Sequence, residues 1–92
     1  MNLFGEYLRN RREQLGLPLR KVAAELDIDT SILSKIERNE RVATKEMLPT
    51  LAKTLEVQDK EIQIEFIQST ILSELGDLEF LTDGLKNVLK KI

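Results

Sequence analysis

The chain has 92 residues, which suffices for one compact domain and is too few for two ordinary ones. It contains no cysteine, histidine or tryptophan, which excludes disulfides, thiol nucleophiles, thiolate or imidazole metal sites and histidine-dependent catalysis. Its 14 basic and 16 acidic side chains, and the absence of any apolar run of membrane-spanning length, fit a helix-rich globular protein without a cofactor, a metal or a membrane partner.

The first half of the sequence predicts three helices separated by short turns. The first is amphipathic and ends at Gly16, because glycine favours the left-handed backbone that commonly follows a helix. The second begins near Pro18 and ends at Asp27. The third follows Asp29, whose side chain is expected to accept hydrogen bonds from the free N–H groups of the first turn.

The second half predicts a fourth and a fifth helix of different character. Thr44 is expected to cap the fourth helix, which tolerates Pro49 near its first turn. The fifth helix should run from about Asp59 to Leu75 and has two apolar sides. At about 100° per residue, Ile62 and Phe66 fall nearly opposite the other isoleucines of this helix.

The last segment repeats apolar residues at alternating steps of three and four, the spacing of a coiled-coil seam. The dipeptide Asp83-Gly84 is expected to weaken this helix and could split it into two pieces. The seam comprises Leu78, Leu81, Leu85, Val88 and Ile92.

Together these patterns predict an all-α fold, with a compact helical domain over residues 1–57 and a helical extension over residues 58–92.

The net charge of −2 hides a difference between these two parts. Residues 1–57 carry ten Lys/Arg against nine Asp/Glu, and residues 58–92 carry four against seven, which gives +1 and −3. The whole-chain charge therefore does not exclude a nucleic-acid partner for the first part. Because the first dozen residues are already charged, unlike a secretory signal, we expect a cytoplasmic location.

The most specific pattern lies between Leu19 and Arg38, where two short helices are joined by a three-residue turn. The apolar positions that such a crossed pair requires are all filled, by Val22, Ala23, Leu26, Ile28, Leu33 and Ile36. The stretch LRKVAAELDIDTSILSKIER, flanked by RREQLGL and MLPTLAKTLEV, resembles the helix-turn-helix of phage-repressor-like (Xre/Cro) DNA-binding regulators. The resemblance covers roughly residues 3–66, with Asp27 and Asn39 at two positions where the family commonly has glycine.

The resemblance implies that the third helix enters the major groove of double-stranded DNA, with its N-terminal half against the base edges. The positions that match the base-reading residues of the family are Thr30, Ser31, Ile32, Ser34 and Lys35. Lys35 would donate to a guanine, and the methyl of Thr30 or an exposed Ile32 would meet a thymine methyl. The predicted phosphate contacts are Arg20, Lys21, Arg38, Asn39 and Arg41.

Three charged residues require their own interpretation. Arg12 and Glu37 each lie on or beside an apolar face, where an unpaired charge would be costly, and the family commonly joins these positions by an ion pair. We therefore expect a structural role for Arg12 rather than a direct DNA contact. Glu40 lies among basic residues and would oppose phosphate unless it pairs with Arg41.

Residues 58–92 are predicted to form a homodimerisation element, because one small recognition helix binds weakly and two copies multiply the contacts. The residues assigned to this surface are Ile62, Phe66, Leu78, Leu81, Leu85, Val88 and Ile92.

The leading hypothesis is a dimeric, sequence-specific transcriptional regulator, most simply a repressor. The alternative is an antitoxin or another interaction module whose last helices bind a different protein. An enzyme would need paired carboxylates in a cleft, and nothing in the pattern suggests one.

Overall fold

The structure is a computed structural model that describes residues 3–92, and this part of the chain is all helical, as predicted. The helices are α1 (Phe4–Gln14), α2 (Leu19–Glu25), α3 (Thr30–Glu37), α4 (Leu48–Thr54), α5 (Asp59–Leu75) and α6 (Leu81–Lys91). A short 3-10 turn, Lys45–Met47, leads into α4, and Pro49 lies in the first turn of that helix. None of the described helices is long and apolar enough to cross a membrane.

The first four helices end in the same way, with one residue in the left-handed backbone region. These residues are Gly16, Asp27, Asn39 and Glu56, whose φ angles lie between 54° and 68°. The N–H of each following residue bonds back to a carbonyl five positions earlier, as Glu40 does to Lys35 at 2.8 Å. The sequence predicted this for the first three positions. It gave no signal for Glu56, because glutamate rarely adopts this conformation.

The side chain of Asp29 does not cap α3, which corrects the sequence-based expectation. Asp29 is at the N-cap position, but its carboxylate makes no capping hydrogen bond. Its backbone carbonyl accepts the N–H groups of Ile32 and Leu33 at 3.0 and 3.2 Å. Thr44 similarly precedes the 3-10 turn without a side-chain bond.

The core lies where α1 to α4 meet the first half of α5. It contains the predicted apolar faces of the helices, and its most deeply buried large side chains include Leu8, Leu33, Leu51, Leu55 and Ile62. Burying a side chain of this size stabilises a fold by about 1.5–3 kcal/mol. Because Ile62 has no exposed surface, the compact domain extends past residue 57 into α5.

The two apolar sides of α5 are used in the opposite sense to the prediction. Ile62 is buried in the core, and the ring of Phe66 packs edge-on against Phe4 at a centroid distance of 5.2 Å. Ile64 and Ile67 are exposed. Ile62 therefore has no accessible surface for a partner, and Phe66 is committed to a contact within the chain. The periodicity revealed two sides but held no information on which one the core would cover.

The last helix also differs from the predicted seam. Leu78 precedes α6 and lies in the connection that follows α5, so it is not in helical register with Leu81. The helix is continuous through Asp83 and Gly84, because one glycine lowers helix stability by only about 1 kcal/mol.

Candidate nucleic-acid interface

The crossed pair of α2 and α3 is held by the apolar residues that the sequence predicted. Val22 and Ala23 of α2, and Leu33 and Ile36 of α3, are at most 2% exposed. Leu26 and Ile28, at the turn between the helices, are half-buried and pack against the same core. A small side chain at residue 23 lets the helices approach closely. One side of α3 is thereby fixed on the domain, and the other faces outward.

The outward side of α3 presents short polar side chains and one lysine. Thr30, Ser31 and Lys35 are exposed, and Ser34 is half-buried between them. At about 100° per residue these four positions fall within a sector of about 140°. Ile32 lies outside this sector, is half-buried and packs against the core. The expectation that Ile32 is exposed is therefore wrong, and the Thr30 methyl is the apolar group on this side.

Basic residues lie at the start of α2 and at and after the C-terminal end of α3. Arg20 and Lys21 are exposed in the first turn of α2, and Arg41 is exposed in the loop that follows α3. Arg38, at the end of α3, is already engaged: its Nε lies 3.0 Å from Glu40 Oε2 and 3.3 Å from the carbonyl of Ser34. Glu40 therefore pairs with Arg38, whereas the sequence suggested Arg41 as its partner.

The expected ion pair between Arg12 and Glu37 is present and two-pronged. Arg12 Nε and Nη2 lie 2.7 and 3.0 Å from the two carboxylate oxygens of Glu37, and Nη1 donates to the carbonyl of Leu17 at 2.8 Å. Glu37 is 6% exposed. The hydrogen bonds that Arg12 donates to Glu37 raise the pKa of Arg12 above its ordinary value. Two planar groups in this geometry fix α3 against α1.

The N-terminal end of α1 is held by two other elements of the chain, which the sequence did not predict. The N–H of Phe4 donates to Ser69 Oγ of α5 at 2.9 Å, and the N–H of Gly5 donates to Asn39 Oδ1 at 3.0 Å. Leu3, at the N-cap position, supplies no side-chain cap. The one available signal was Gly5 itself, since a glycine inside a helix often marks a close approach.

Arg11 links α1 to the C-terminal end of α4. Its Nε donates to the carbonyl of Leu55 at 2.8 Å and its Nη2 to the carbonyl of Glu56 at 3.2 Å, where α4 ends. A guanidinium at the C-terminal end of a helix satisfies carbonyls that have no partner within the helix. The guanidinium of Arg11 thus has a structural role, which is to hold the end of α4 on α1.

Exposed apolar side chains gather on α5 and α6, away from the core. Of the residues assigned to dimerisation, Leu78, Val88 and Ile92 are exposed, and Leu81 and Leu85 are half-buried. The other exposed apolar side chains of α5, α6 and the connection between them, which the sequence did not assign to dimerisation, are Ile64, Ile67, Leu72, Leu75, Phe80 and Leu89. Within residues 3–92, no group of three or more carboxylates is placed to hold a metal ion.

The fold and the outward side of α3 define a helix-turn-helix DNA-binding domain. Residues 8–62 match the model of the helix-turn-helix family, and this match spans more than half of the chain. The chain therefore belongs to the phage-repressor-like (Xre/Cro) helix-turn-helix family, as the sequence predicted, and is a DNA-binding regulator. No curated protein and no solved structure matches it significantly.

Proposed function

We propose that the protein is a dimeric, sequence-specific regulator of transcription that inserts α3 into the major groove of DNA and represses by blocking a promoter, without catalytic activity. The observation that carries this proposal is the outward side of α3, which presents Thr30, Ser31, Ser34 and Lys35 beyond a buried apolar side. A helix whose other side is fixed by core packing and by the Arg12–Glu37 pair can hold base contacts in register.

The residues on this side define what α3 would read. Lys35 can donate to guanine O6 and N7, and the hydroxyls of Ser31 and Ser34 can bond to several bases. The methyl of Thr30 suits a thymine methyl. The set lacks an arginine or glutamine that could form two hydrogen bonds with one base. Part of the specificity would therefore come from the shape and deformability of the DNA.

The flanking basic residues would bind phosphates on both sides of the groove. Arg20, Lys21 and Arg41 are exposed, and none forms an ion pair with another described residue. Arg38 would exchange Glu40 for a phosphate when DNA binds. Asn39 uses Oδ1 for Gly5, so its Nδ2 remains as a donor.

A dimer would place two copies of α3 on half-sites about one helical turn apart, which increases affinity without enlarging either domain. The apolar residues exposed on α5 and α6 support such an interface, since monomers seldom leave patches of this kind uncovered. The same residues would suit a different protein if the chain were an antitoxin. Stoichiometric capture of such a protein, together with a lack of salt-dependent DNA binding, would favour that second function.

A shift assay with the DNA upstream of the protein's own gene tests the proposal. Affinity should fall steeply as salt rises, because phosphate contacts release counterions. The Lys35→Ala variant should lose about 1–3 kcal/mol of binding energy. Lys60→Ala is the matched control, since Lys60 is exposed on α5 and outside the proposed interface. Equal affinities for Lys35→Ala and the wild type would overturn the assignment of α3.

A further inference from the structure

We propose that two copies of the chain pair through an antiparallel contact between their α6 helices. In this contact the basic end of α6, where Lys91 borders the apolar side and Lys90 lies on the polar side, comes near the acidic turn before α6 of the other copy, Asp77 and Glu79. The inference rests on the dimer of the proposed function and specifies its geometry.

The apolar side of α6 is the first observation. Leu81, Leu85, Val88, Leu89 and Ile92 fall within a sector of about 100° when successive residues turn by about 100°. Val88, Leu89 and Ile92 are 52%, 68% and 92% exposed. A helix of eleven residues is marginal in water by itself, so it needs apolar contacts of this kind to be stable.

The order of charges along the segment is the second observation. Acidic residues come first, at Asp77, Glu79 and Asp83, and basic residues come last, at Lys86, Lys90 and Lys91. All six are exposed, and none forms an ion pair with another described residue. A parallel pair of α6 helices would bring like charges together at both ends. An antiparallel pair joins opposite charges at both ends, which favours association and fixes its direction.

A second copy of the chain fits this order better than an unrelated protein does. A two-fold contact uses the same surface on both partners, so that surface must be complementary to itself. A sequence that runs from acidic to basic along one apolar helix has this property in the antiparallel orientation.

The attachment of α5 to the DNA-binding core gives the contact a functional consequence. Tyr7 Oη donates to Glu61 Oε2 at 2.6 Å, Ser69 Oγ accepts the Phe4 N–H, and Ile62 is fully buried. Because these contacts hold α5 on α1, pairing at the far end of the chain would set the separation of the two α3 helices. An eleven-residue helix is about 16 Å long, so the interface is small and its charges should affect affinity measurably.

Charge reversal in the full-length chain, followed by sedimentation equilibrium, tests the pairing. K90E/K91E and D77K/E79K should each raise the dimer Kd by about tenfold or more, because each places like charges at both ends of the contact. The fourfold variant D77K/E79K/K90E/K91E should return to within about threefold of the wild type, since both contacts become complementary again. Its reversed charges oppose the dipole of α6, so recovery cannot come from a more stable helix.

The matched control for K90E/K91E is K53E/K60E, which changes the net charge by the same amount and in the same direction on exposed residues of α4 and α5. It should dimerise as the wild type does, and circular dichroism identifies any variant in which α6 has lost helix content. Wild-type affinity in either twofold variant of the proposed contact, no recovery in the fourfold variant, or a wild type that remains monomeric would overturn the pairing. Lys35-dependent DNA binding is measured separately, so a failure of the pairing is distinguishable from a failure of the proposed function.

Discussion

Gly5 and Asn39 meet where α1 crosses the C-terminal end of α3, and the N–H of Gly5 donates to Asn39 Oδ1 at 3.0 Å. A Cβ atom at residue 5 would overlap the backbone carbonyl oxygens of Ile36 and Glu37. Asn39 itself has a φ of 61°, so its left-handed backbone both ends α3 and directs its side chain to α1. The position of the recognition helix therefore depends on a glycine in the first turn of another helix.

Replacing Gly5 by alanine should destabilise the fold. The added methyl has to push apart two backbone segments, and overpacking of this kind costs about 1–3 kcal/mol. Urea unfolding followed by circular dichroism measures the loss. Gly84→Ala is the control, because nothing lies within 4 Å of a Cβ at that position and alanine favours a helix interior by about 0.5–1 kcal/mol. A Gly5→Ala variant as stable as the wild type would contradict the close approach.

The Arg12–Glu37 pair should be strongly coupled in folding. Glu37→Leu leaves the guanidinium of Arg12 without its partner in a site where that side chain is 14% exposed, which should cost about 3–5 kcal/mol. Arg12→Met should cost a similar amount. The double variant should lose less than the sum, with a coupling energy of about 1–3 kcal/mol. Urea unfolding supplies all four free energies.

The exposed pair of Arg9 and Glu13, separated by 2.7 Å on α1, provides the comparison. A pair of this kind contributes only about 0.3–0.5 kcal/mol, because water screens both charges. If the two cycles gave equal coupling energies, the buried pair would not have the structural role assigned to it.

Much of the fold could be predicted because its determinants are local. The apolar spacing of α2 and α3 specifies a crossed helix pair, and Gly16, Asp27 and Asn39 mark helix ends through their backbone preferences. Long-range choices could not be predicted in this way. Ile62 and Ile64 have the same side chain, and only the packing of α5 on α1 and α4 buries one and exposes the other.

The same distinction between local and long-range determinants applies to the candidate site. The outward side of α3 follows from helical periodicity, so the exposure of Thr30, Ser31 and Lys35 was foreseeable. Ile32 is not exposed as expected, because it lies beside the apolar stripe and the neighbouring core covers part of it. Glu40 had two arginines within reach along the chain, and the left-handed turn at Asn39 brings it to Arg38.

The stability of the protein should depend on the ionisation of Tyr7 at high pH. Burial, and then the hydrogen bond to Glu61, raise the pKa of Tyr7 above its ordinary value. The unfolded chain releases this proton near pH 10 and the folded chain retains it longer. The contribution to stability is therefore complete below about pH 10 and is lost as the pH rises further.

Tyr7 is the single tyrosine of the chain, so phenolate absorbance reports its titration directly. Glu61→Gln should move the transition part of the way back to the ordinary pKa, because it removes the acceptor's negative charge but leaves the burial. Glu79→Gln removes an exposed charge elsewhere and should leave the transition unchanged. A wild-type titration at the ordinary pKa of tyrosine would contradict the contact between α1 and α5.

Lys35 and Arg41 should affect DNA binding in different ways. Lys35 lies on the outward side of α3, so Lys35→Ala should relax the preference at one base pair, with a loss of about 1–3 kcal/mol on the preferred sequence. Arg41 lies in the loop after α3, so Arg41→Ala should weaken binding to every sequence alike and lower the salt slope by about one. Binding measured across a panel of single-base operator variants at several salt concentrations separates the two effects. If both variants lost the same affinity on every sequence, the division between base reading and phosphate binding would be wrong.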